Sequence, residues 1–315
     1  YIKYFMDNNY FKEEENLSRD LIELKGVFNT KALLNDQFND ANIKTYYKYT
    51  SWAYGLFHSK NGSVHMALNY DGVYNPDGDF NQAREIDPLI NENSKVLELG
   101  CGKGINTIYL AEKNNTSQFY GIDISKEQLR RAKKKGKTHK NIHFDCGNFQ
   151  QIPFEDNMFD VVFGIETLCY SDNLDALLKE VYRVLKKEGK FIVYDGYRVP
   201  DFNQKSERLI QSALLMERGV ALNGFHSMSD WISVSKSNGF DLVINEDLSI
   251  ATMPNLKRLY RASKRYLKNK FLAKLILFFL PSYTIKNAVT GITMPYTLML
   301  KTHTYNKIVM TKSLS

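Results

Sequence analysis

A doubly wound α/β fold with a mostly parallel sheet is what this sequence predicts, and three observations predict it. Short apolar runs alternate with helix-length amphipathic stretches from Lys95 onward. A glycine-rich turn, Gly100-Cys101-Gly102-Lys103-Gly104, stands between the first run and the first of those helices. An acid, Asp123, closes the second run 19 positions after Gly104. Runs separated by helices of about 10 to 15 residues require right-handed crossovers and hence parallel pairing. Such sheets take their ligands at the carboxyl ends of the strands.

Residues 1 to about 40 are polar and partly helical, with apolar positions at helical spacing in LSRDLIELKGVF. Behind them Tyr46, Tyr47, Tyr49, Trp52, Tyr54, Phe57, Tyr70 and Tyr74 crowd together with His58 and His65. These residues, 1–80, are read as an N-terminal lid and aromatic substrate segment. NQAREIDPLI, from Asn81, leads into a cofactor-binding core over 81–200. There the runs KVLELG, QFYGIDI, IHFDCG, FDVVFGIE and KFIVYDG are interleaved with the helical patterns INTIYLAEK, KEQLRRAKKKG and LDALLKEVYRVLKKEG. The third unit, 201–315, holds two helical stretches before GFDLVINEDLS, then a basic stretch running into FLAKLILFFL. Its apolar runs around AVTGITM and YTLMLKT are expected to add antiparallel strands at the sheet edge.

A composition of 43% hydrophobic and 24% charged residues over 315 positions is globular, enough for one full α/β core with a covering region. Cys101, Cys146 and Cys169 fit neither a disulfide framework nor a zinc site, so no metal is expected. The N-terminal residues lack the apolar centre of a signal peptide, and the expectation is a reducing, cytoplasmic setting.

The net charge of +7 is unevenly placed. No acid follows Asp247, while twelve Lys and Arg lie between Lys257 and Lys312; the first 247 positions carry 30 basic and 35 acidic residues, a net −5. An anionic partner near the C-terminal region is implied. The ten-residue apolar run from Phe271 is too short to span a bilayer. Residues 256–280 are therefore expected either to lie at a membrane surface or to cover the site with solvated charges. A grip on a prenyl diphosphate is a third reading. Nucleic acid is not expected, since no RNA-binding module is recognisable; a homo-oligomer is left open.

The glycine turn lets a ligand approach the backbone closely, and Asp123 is placed to accept two ribose hydroxyls. Glu98, two residues before Gly100, suits a cationic amino group better than a pyrophosphate. The G-x-G-x-G spacing disfavours a nicotinamide dinucleotide, and no P-loop string occurs. In DCGNFQQIPF, Asn148 and Phe149 fall at the end of the next strand, Phe149 to pack on an adenine and Asn148 to bond its edge.

VLELGCGKG, GIDIS, CGNFQQIPF followed by FDVVFGIETLCYSD, and EVYRVLKKEGKFIVYD resemble, in order and spacing, the motifs of class I S-adenosylmethionine-dependent methyltransferases. The variant is that of the sterol 24-C-methyltransferases and related terpenoid C-methyltransferases, and the similarity runs from about residue 46 to 300. It implies a Rossmann-like, seven-stranded sheet and S-adenosyl-L-methionine as cofactor. The cofactor would be held by Glu98, Gly100, Cys101, Gly102, Gly104, Asp123, Ile124, Gln128, Asn148, Phe149 and Glu166. ITMPYTLMLKT is similar to the family's C-terminal Phe-Thr-Pro-Met strand. Where the family reads Ile-Glu-Ala-Thr-Cys-His, residues 165–170 read Ile-Glu-Thr-Leu-Cys-Tyr; Ser63, Val64, His65 and Met66 stand for its Ser-Phe-His-Phe, with an insertion before them.

The activity so implied is C-methylation of an alkene, sterol or other isoprenoid, through a carbocation. That chemistry needs aromatic faces, for which Tyr46, Tyr47, Trp52, Tyr54 and Phe57 are the candidates, at roughly 0.5 to 2 kcal/mol each. Glu166 is the candidate for the charge beside the reacting centre, and His65, with His58 and His226, for proton removal. Two alternatives stay open: N- or O-methylation of another small hydrophobic metabolite, and a non-catalytic partner subunit of the same fold.

Overall fold

A computed structural model describes residues 7–53, 59, 61–279 and 282–313, with backbone alone at 40, 49–53 and 282–285. The chain opens with three helices, α1 (Glu14–Lys25), α2 (Thr30–Leu34) and α3 (Asp40–Ala53). After α4 (Asn81–Ile86) the alternation begins: β1 (Lys95–Leu99), α5 (Ile105–Lys113), β2 (Gln118–Asp123), α6 (Lys126–Lys135) and β3 (Ile142–Cys146). It continues through β4 (Phe159–Ile165), α7 (Leu174–Val184), β5 (Leu185–Arg198), α8 (Glu207–Gly219), α9 (Met228–Ser237) and β6 (Phe240–Asp247). Three consecutive helices, α10 (Ser249–Leu267), α11 (Lys270–Phe279) and α12 (Ser282–Met299), precede the last strand, β7 (His303–Lys312).

The strands form one seven-stranded sheet in the order β3-β2-β1-β4-β5-β7-β6. β1 to β5 pair in parallel, and β7 runs antiparallel between β5 and β6. The expected α/β architecture and sheet type are what the chain adopts. β1 and β4 read as nearly unbroken apolar runs because both of their faces are covered. One face packs against α4 and α5 through Ala83, Ile86, Leu110 and Ala111. The other packs against α7, whose Leu174, Leu177, Leu178, Val181 and Val184 recur at helical spacing, and against Trp231 of α9. Strand order reverses between β1 and β4, so the crevice at their carboxyl ends is the topological switch point.

A separate apolar cluster lies above that end of the sheet and belongs to the helices around it. Leu17, Leu21 and Leu24 of α1, Leu209 and Leu215 of α8, Leu256 and Tyr260 of α10, and Val289, Ile292 and Tyr296 of α12 share it. At its centre Asp20, 1% exposed, accepts hydrogen bonds from the hydroxyls of Tyr260 and Tyr296, both 2.7 Å, and from Lys264 Nζ at 2.8 Å. One carboxylate thus ties α1 to both long C-terminal helices.

Two readings of the sequence are corrected. AVTGITM and most of YTLMLKT are not edge strands but the body of α12, where Val289, Ile292, Thr293 and Tyr296 are buried at helical spacing. ITMPYTLMLKT is accordingly helical through Met299, with Pro295 inside the helix. The strand that completes the sheet is the more polar HTYNKIVMTK, whose polar groups are met by tertiary partners: Lys307 pairs with Glu85 at 2.7 Å and Asn306 bonds Asn245 at 2.7 Å. The helix read through LDALLKEVYRVLKKEG ends at Val184, and Leu185 already begins β5.

Replacing Asp20 removes the carboxylate acceptor of two buried hydroxyls and one of the two carboxylate partners of Lys264. Asp20→Ala should cost about 3 kcal/mol of unfolding free energy, read from urea midpoints, and Asp20→Asn less; an Asp20→Ala variant of unchanged midpoint would show that this carboxylate does not hold the helical cap.

Candidate active site

The site begins where β1 ends. Gly100 has φ +66 and Gly104 φ +72, both left-handed. A Cβ on Gly100 would overlap the Thr167 side chain, and one on Gly104 would lie 2.5 Å from Phe144 Cζ. Only glycine fits either place. The turn aims Gly102 N–H at Asp123 Oδ2, 2.9 Å away, while Ser125 N–H donates to Oδ1 at 2.7 Å. Asp123 is thus fixed against the glycine turn by two amides from opposite sides.

A cleft of about 1060 Å³, its open mouth included, lies over these groups. Glu98, Gly100, Cys101, Gly102, Asp123, Ile124, Gln128, Asn148, Phe149 and Glu166 all line it. Gly104 does not; its contact with Phe144 makes it a packing glycine beneath the turn. The sequence reading missed Lys103, Asn106, Lys44 and Thr167, which also face the cleft. Asn106 belongs to the first turn of α5, directly after the glycine turn, and that place beside a ligand-binding helix N-terminus was its signal.

Carboxylates dominate this space. Burial raises Glu98 to about 7, against hydrogen bonds from Thr107 and Asn106 that favour its charged form. Its Oε2 accepts Thr107 N–H at 3.0 Å and the Thr107 hydroxyl, so it also caps α5 from the neighbouring strand. Burial likewise raises Asp123. Lys103 is pushed down to about 8 by burial and by the nearby Arg131 and Lys135. Two buried acceptors lining the cleft, Asn106 Oδ1 and Gln128 Oε1, have no hydrogen-bond partner among the described residues. Desolvated carboxylates and orphaned acceptors fit a ligand that brings a cation, hydroxyls and N–H donors.

A second cavity of about 730 Å³ adjoins the first, and Tyr47, Val64, Glu166 and Tyr170 line both. Its walls come from the end of β5 (Asp195, Gly196), the start of β7 (His303, Thr304, Tyr305), and apolar residues of α8, α10 and α12. Glu166 sits just past β4 with φ +48, a conformation an L-residue adopts only when its surroundings impose it. Its Oε1 accepts Met66 N–H at 2.6 Å. Burial lifts it to about 8, the Met66 amide opposing and Asp195 adding to the rise. Asp195, which the sequence reading passed over, accepts Cys169 N–H at 3.0 Å and Gly196 N–H at 2.8 Å. Burial raises it to about 6. An acid ending a strand of a parallel sheet was its only signal.

The other catalytic candidates are divided by the structure. Tyr47 stands at the junction, its hydroxyl 3.1 Å from that of Tyr170, which donates to Val220 O at 2.8 Å. Tyr46 is core: it is 1% exposed and donates to Asn287. His65 lines the first cleft and not the second; its ring nitrogens lie 3.3 Å from Asn106 Nδ2 and 3.3 Å from Met66 O, and burial lowers its pKa. A proton-removing role in the second cavity does not suit it. His226 bonds Ser171 O at 3.0 Å and lines neither space. The side chain of Trp52, and Tyr54, Phe57 and His58, lie outside the described residues. Among the described residues, the aromatic side chains lining the second cavity are Tyr47, Tyr170, Phe225 and Tyr305.

Comparison with known proteins agrees with this geometry. Residues 97–193 match the family model described as a methyltransferase domain. The chain is 28% identical over 231 residues to 24-methylenesterol C-methyltransferase 2 of Arabidopsis thaliana, covering 67% of this chain and 64% of that one. It spans less than two thirds of the length of this and the other sterol methyltransferases it is similar to. Among solved structures, the cyclopropane synthase MmaA2 from Mycobacterium tuberculosis superposes with a TM-score of 0.73 at 12% identity, over 88% of this chain and 100% of that one. Geranyl diphosphate C-methyltransferase from Streptomyces coelicolor A3(2), in complex with Mg2+, geranyl diphosphate and S-adenosyl-L-homocysteine, does so with 0.62 at 15%, over 85% and 98%. At such identities the structures establish the fold. S-adenosyl-L-methionine is the cofactor these findings support, and the cleft's acids and unpartnered acceptors suit it.

A buried acid near neutrality makes cation binding depend on pH. Below about 7 Glu98 is protonated and must lose its proton to face an ammonium. S-adenosylmethionine binding should therefore weaken by roughly tenfold per pH unit below 7, with proton release detectable by calorimetry in buffers of different ionisation enthalpy. Glu98→Gln should flatten the profile; a flat profile in the unaltered chain removes Glu98 as the partner of that charge.

Proposed function

We propose that this chain, whose residues 97–193 match a methyltransferase domain and which is similar to sterol C-methyltransferases, is a class I S-adenosylmethionine-dependent methyltransferase that transfers the methyl to an alkene carbon of an uncharged isoprenoid, a sterol or smaller terpenoid. The single observation that carries this reading is the shared wall: Glu166 and Tyr47 border both the cofactor cleft and a largely apolar second cavity. Transfer requires the two reactants to meet in line, and a junction of this kind is where they can meet.

The cofactor supplies an electrophilic methyl. The chain's residues supply orientation, a dry enclosure and a place for the charge that follows. Methyl addition to an alkene leaves a cation on the neighbouring carbon. Glu166 and Asp195 both line the second cavity, desolvated. Asp195 is the anion at neutral pH; Glu166, raised to about 8, becomes one as a cation beside it draws its proton off. An anion there stabilises a cation far more than it would in water. Faces of Tyr47, Tyr170, Phe225 and Tyr305 add a further, weaker attraction. Asp195, raised only to about 6, is ionised at neutral pH and is the group placed to take the proton lost when the alkene is restored.

The same lining bears on the substrate class. No Lys or Arg stands among the described residues of the second cavity, while two carboxyl groups do. A diphosphate would meet repulsion there, which favours an uncharged isoprenoid over a prenyl diphosphate. The similarity to sterol C-methyltransferases supports the same choice.

The test is incubation with labelled S-adenosylmethionine and a panel of sterols, uncharged terpenoids, prenyl diphosphates and phenolic lipids, with products identified by mass spectrometry. Methyl on carbon of an uncharged isoprenoid is expected; methyl on oxygen or nitrogen refutes the alkene reading. Glu166→Gln should lower turnover by about 100-fold or more while cofactor affinity changes only a few-fold, and full turnover in that variant removes Glu166 from the chemistry.

A further inference from the structure

The helix α11 has one face in the protein and one face outside it. Ala273 is buried, and Ile276 and Leu277 pack against the apolar cluster of the helical cap. On the outer side Phe271 is 79% exposed, Phe278 82% and Phe279 72%, with Leu272 and Leu275 about half exposed. Residues 271, 275 and 278, and 272, 275 and 279, fall on adjoining rows of a helix. They form one continuous apolar strip on the surface rather than scattered contacts. Isolated exposed apolar residues need no explanation, but a contiguous strip of three phenylalanines and two leucines does.

The exposed charged residues of α11 and of the end of α10 are all of one sign. Arg261, Arg265, Lys268, Lys270 and Lys274 are exposed, and no salt bridge among the described residues engages them. No acid occurs anywhere in the chain after Asp247. No described helix is long and apolar enough to cross a membrane. An apolar strip rimmed by cations on a short helix is the pattern that lies in a lipid headgroup layer, phenylalanines below and ammonium groups at the phosphates.

We propose that α11 with the end of α10 is a docking surface for an anionic lipid bilayer. Its position gives the docking a consequence. α11 joins α10 to α12, and these two helices supply Thr252, Leu256, Met294, Thr297 and Leu298 to the wall of the second cavity. A helix seated in the headgroups therefore anchors, at their α11 ends, the two helices whose far halves wall the substrate cavity. The delivery of a lipid-soluble substrate rests on the isoprenoid reading above; the docking itself does not.

The experiment is co-sedimentation of the full chain with vesicles of phosphatidylcholine alone and of phosphatidylcholine with phosphatidylglycerol, at low and high salt. Binding to the anionic vesicles that weakens with salt is expected. The double variant Phe271→Ser, Phe278→Ser should bind about tenfold less, while its calorimetric affinity for S-adenosylmethionine, unchanged, shows that it is folded. Absence of binding to anionic vesicles at low salt overturns the proposal, as does undiminished binding by the double variant. A lipid-free dimer in sedimentation equilibrium that the double variant dissociates would assign the strip to a second copy of the chain and overturn it equally. Failure of the methyltransferase reading shows separately, as loss of cofactor binding in the unaltered chain.

Discussion

Desolvation of carboxyl groups at the ends of parallel strands is the constraint on which the site depends. Glu98 within β1, Asp123 closing β2, Glu166 just past β4 and Asp195 within β5 all line one or other of two adjoining cavities, and burial raises all four. Holding acids in a low-dielectric crevice costs several kcal/mol of stability when they ionise. The cost is tolerable because backbone amides meet part of it: Gly102 and Ser125 at Asp123, Met66 at Glu166, Cys169 and Gly196 at Asp195. The remainder is an unmet demand for positive charge. A cationic cofactor would satisfy it on one side of Glu166, and a substrate that turns cationic during reaction would satisfy it on the other.

How much of this was legible in the sequence follows from how local each signal is. The glycine turn and Asp123 could be read because their chemistry is confined to a strand end and the turn after it, and the structure puts them 2.9 Å apart. Glu166 stood out for the same reason. Asp195 did not, because its meaning depends on β5 lying beside β4 and on α8, α10 and α12 closing a cavity over it, none of which is local. Asn106 was overlooked as an ordinary helical residue; its orphaned carbonyl oxygen appears only once the helix is packed under the cleft.

The C-terminal third was misread where tertiary contacts outweigh local pattern. α12 is rich in Val, Ile, Thr and Tyr and carries Pro295, all features that favour a strand over a helix. It is helical because its buried side chains pack against α8 and α10, and because Gly291 lets Ser263 of α10 approach its backbone. β7 shows the converse. Its lysines and asparagine look like loop residues until Glu85, Asn245 and the backbone carbonyls of Tyr182 and Leu185 are placed around them. The N-terminal aromatics misled in a third way, since composition reveals that rings are present but not which face of α3 each occupies: Tyr46 turns into the core and Tyr47, one residue on, into the junction.

The two cavities also explain why a helical cap is built over a sheet that could bind a nucleoside without one. The alkene end of an uncharged isoprenoid, the acceptor proposed above, offers the protein nothing to hydrogen-bond, so it would be positioned by shape and apolar contact. Walls of that kind cannot come from strand ends, which present backbone amides and acids. They come here from α8, α10 and α12, whose apolar side chains meet the acids of β4 and β5 across the second cavity. Asp20, by joining α1 to α10 and α12, fixes those walls in place from a point remote from the chemistry. The polar half of the site is thus the sheet's and the apolar half the cap's, and Glu166, carried in a strained backbone at their boundary, belongs to both.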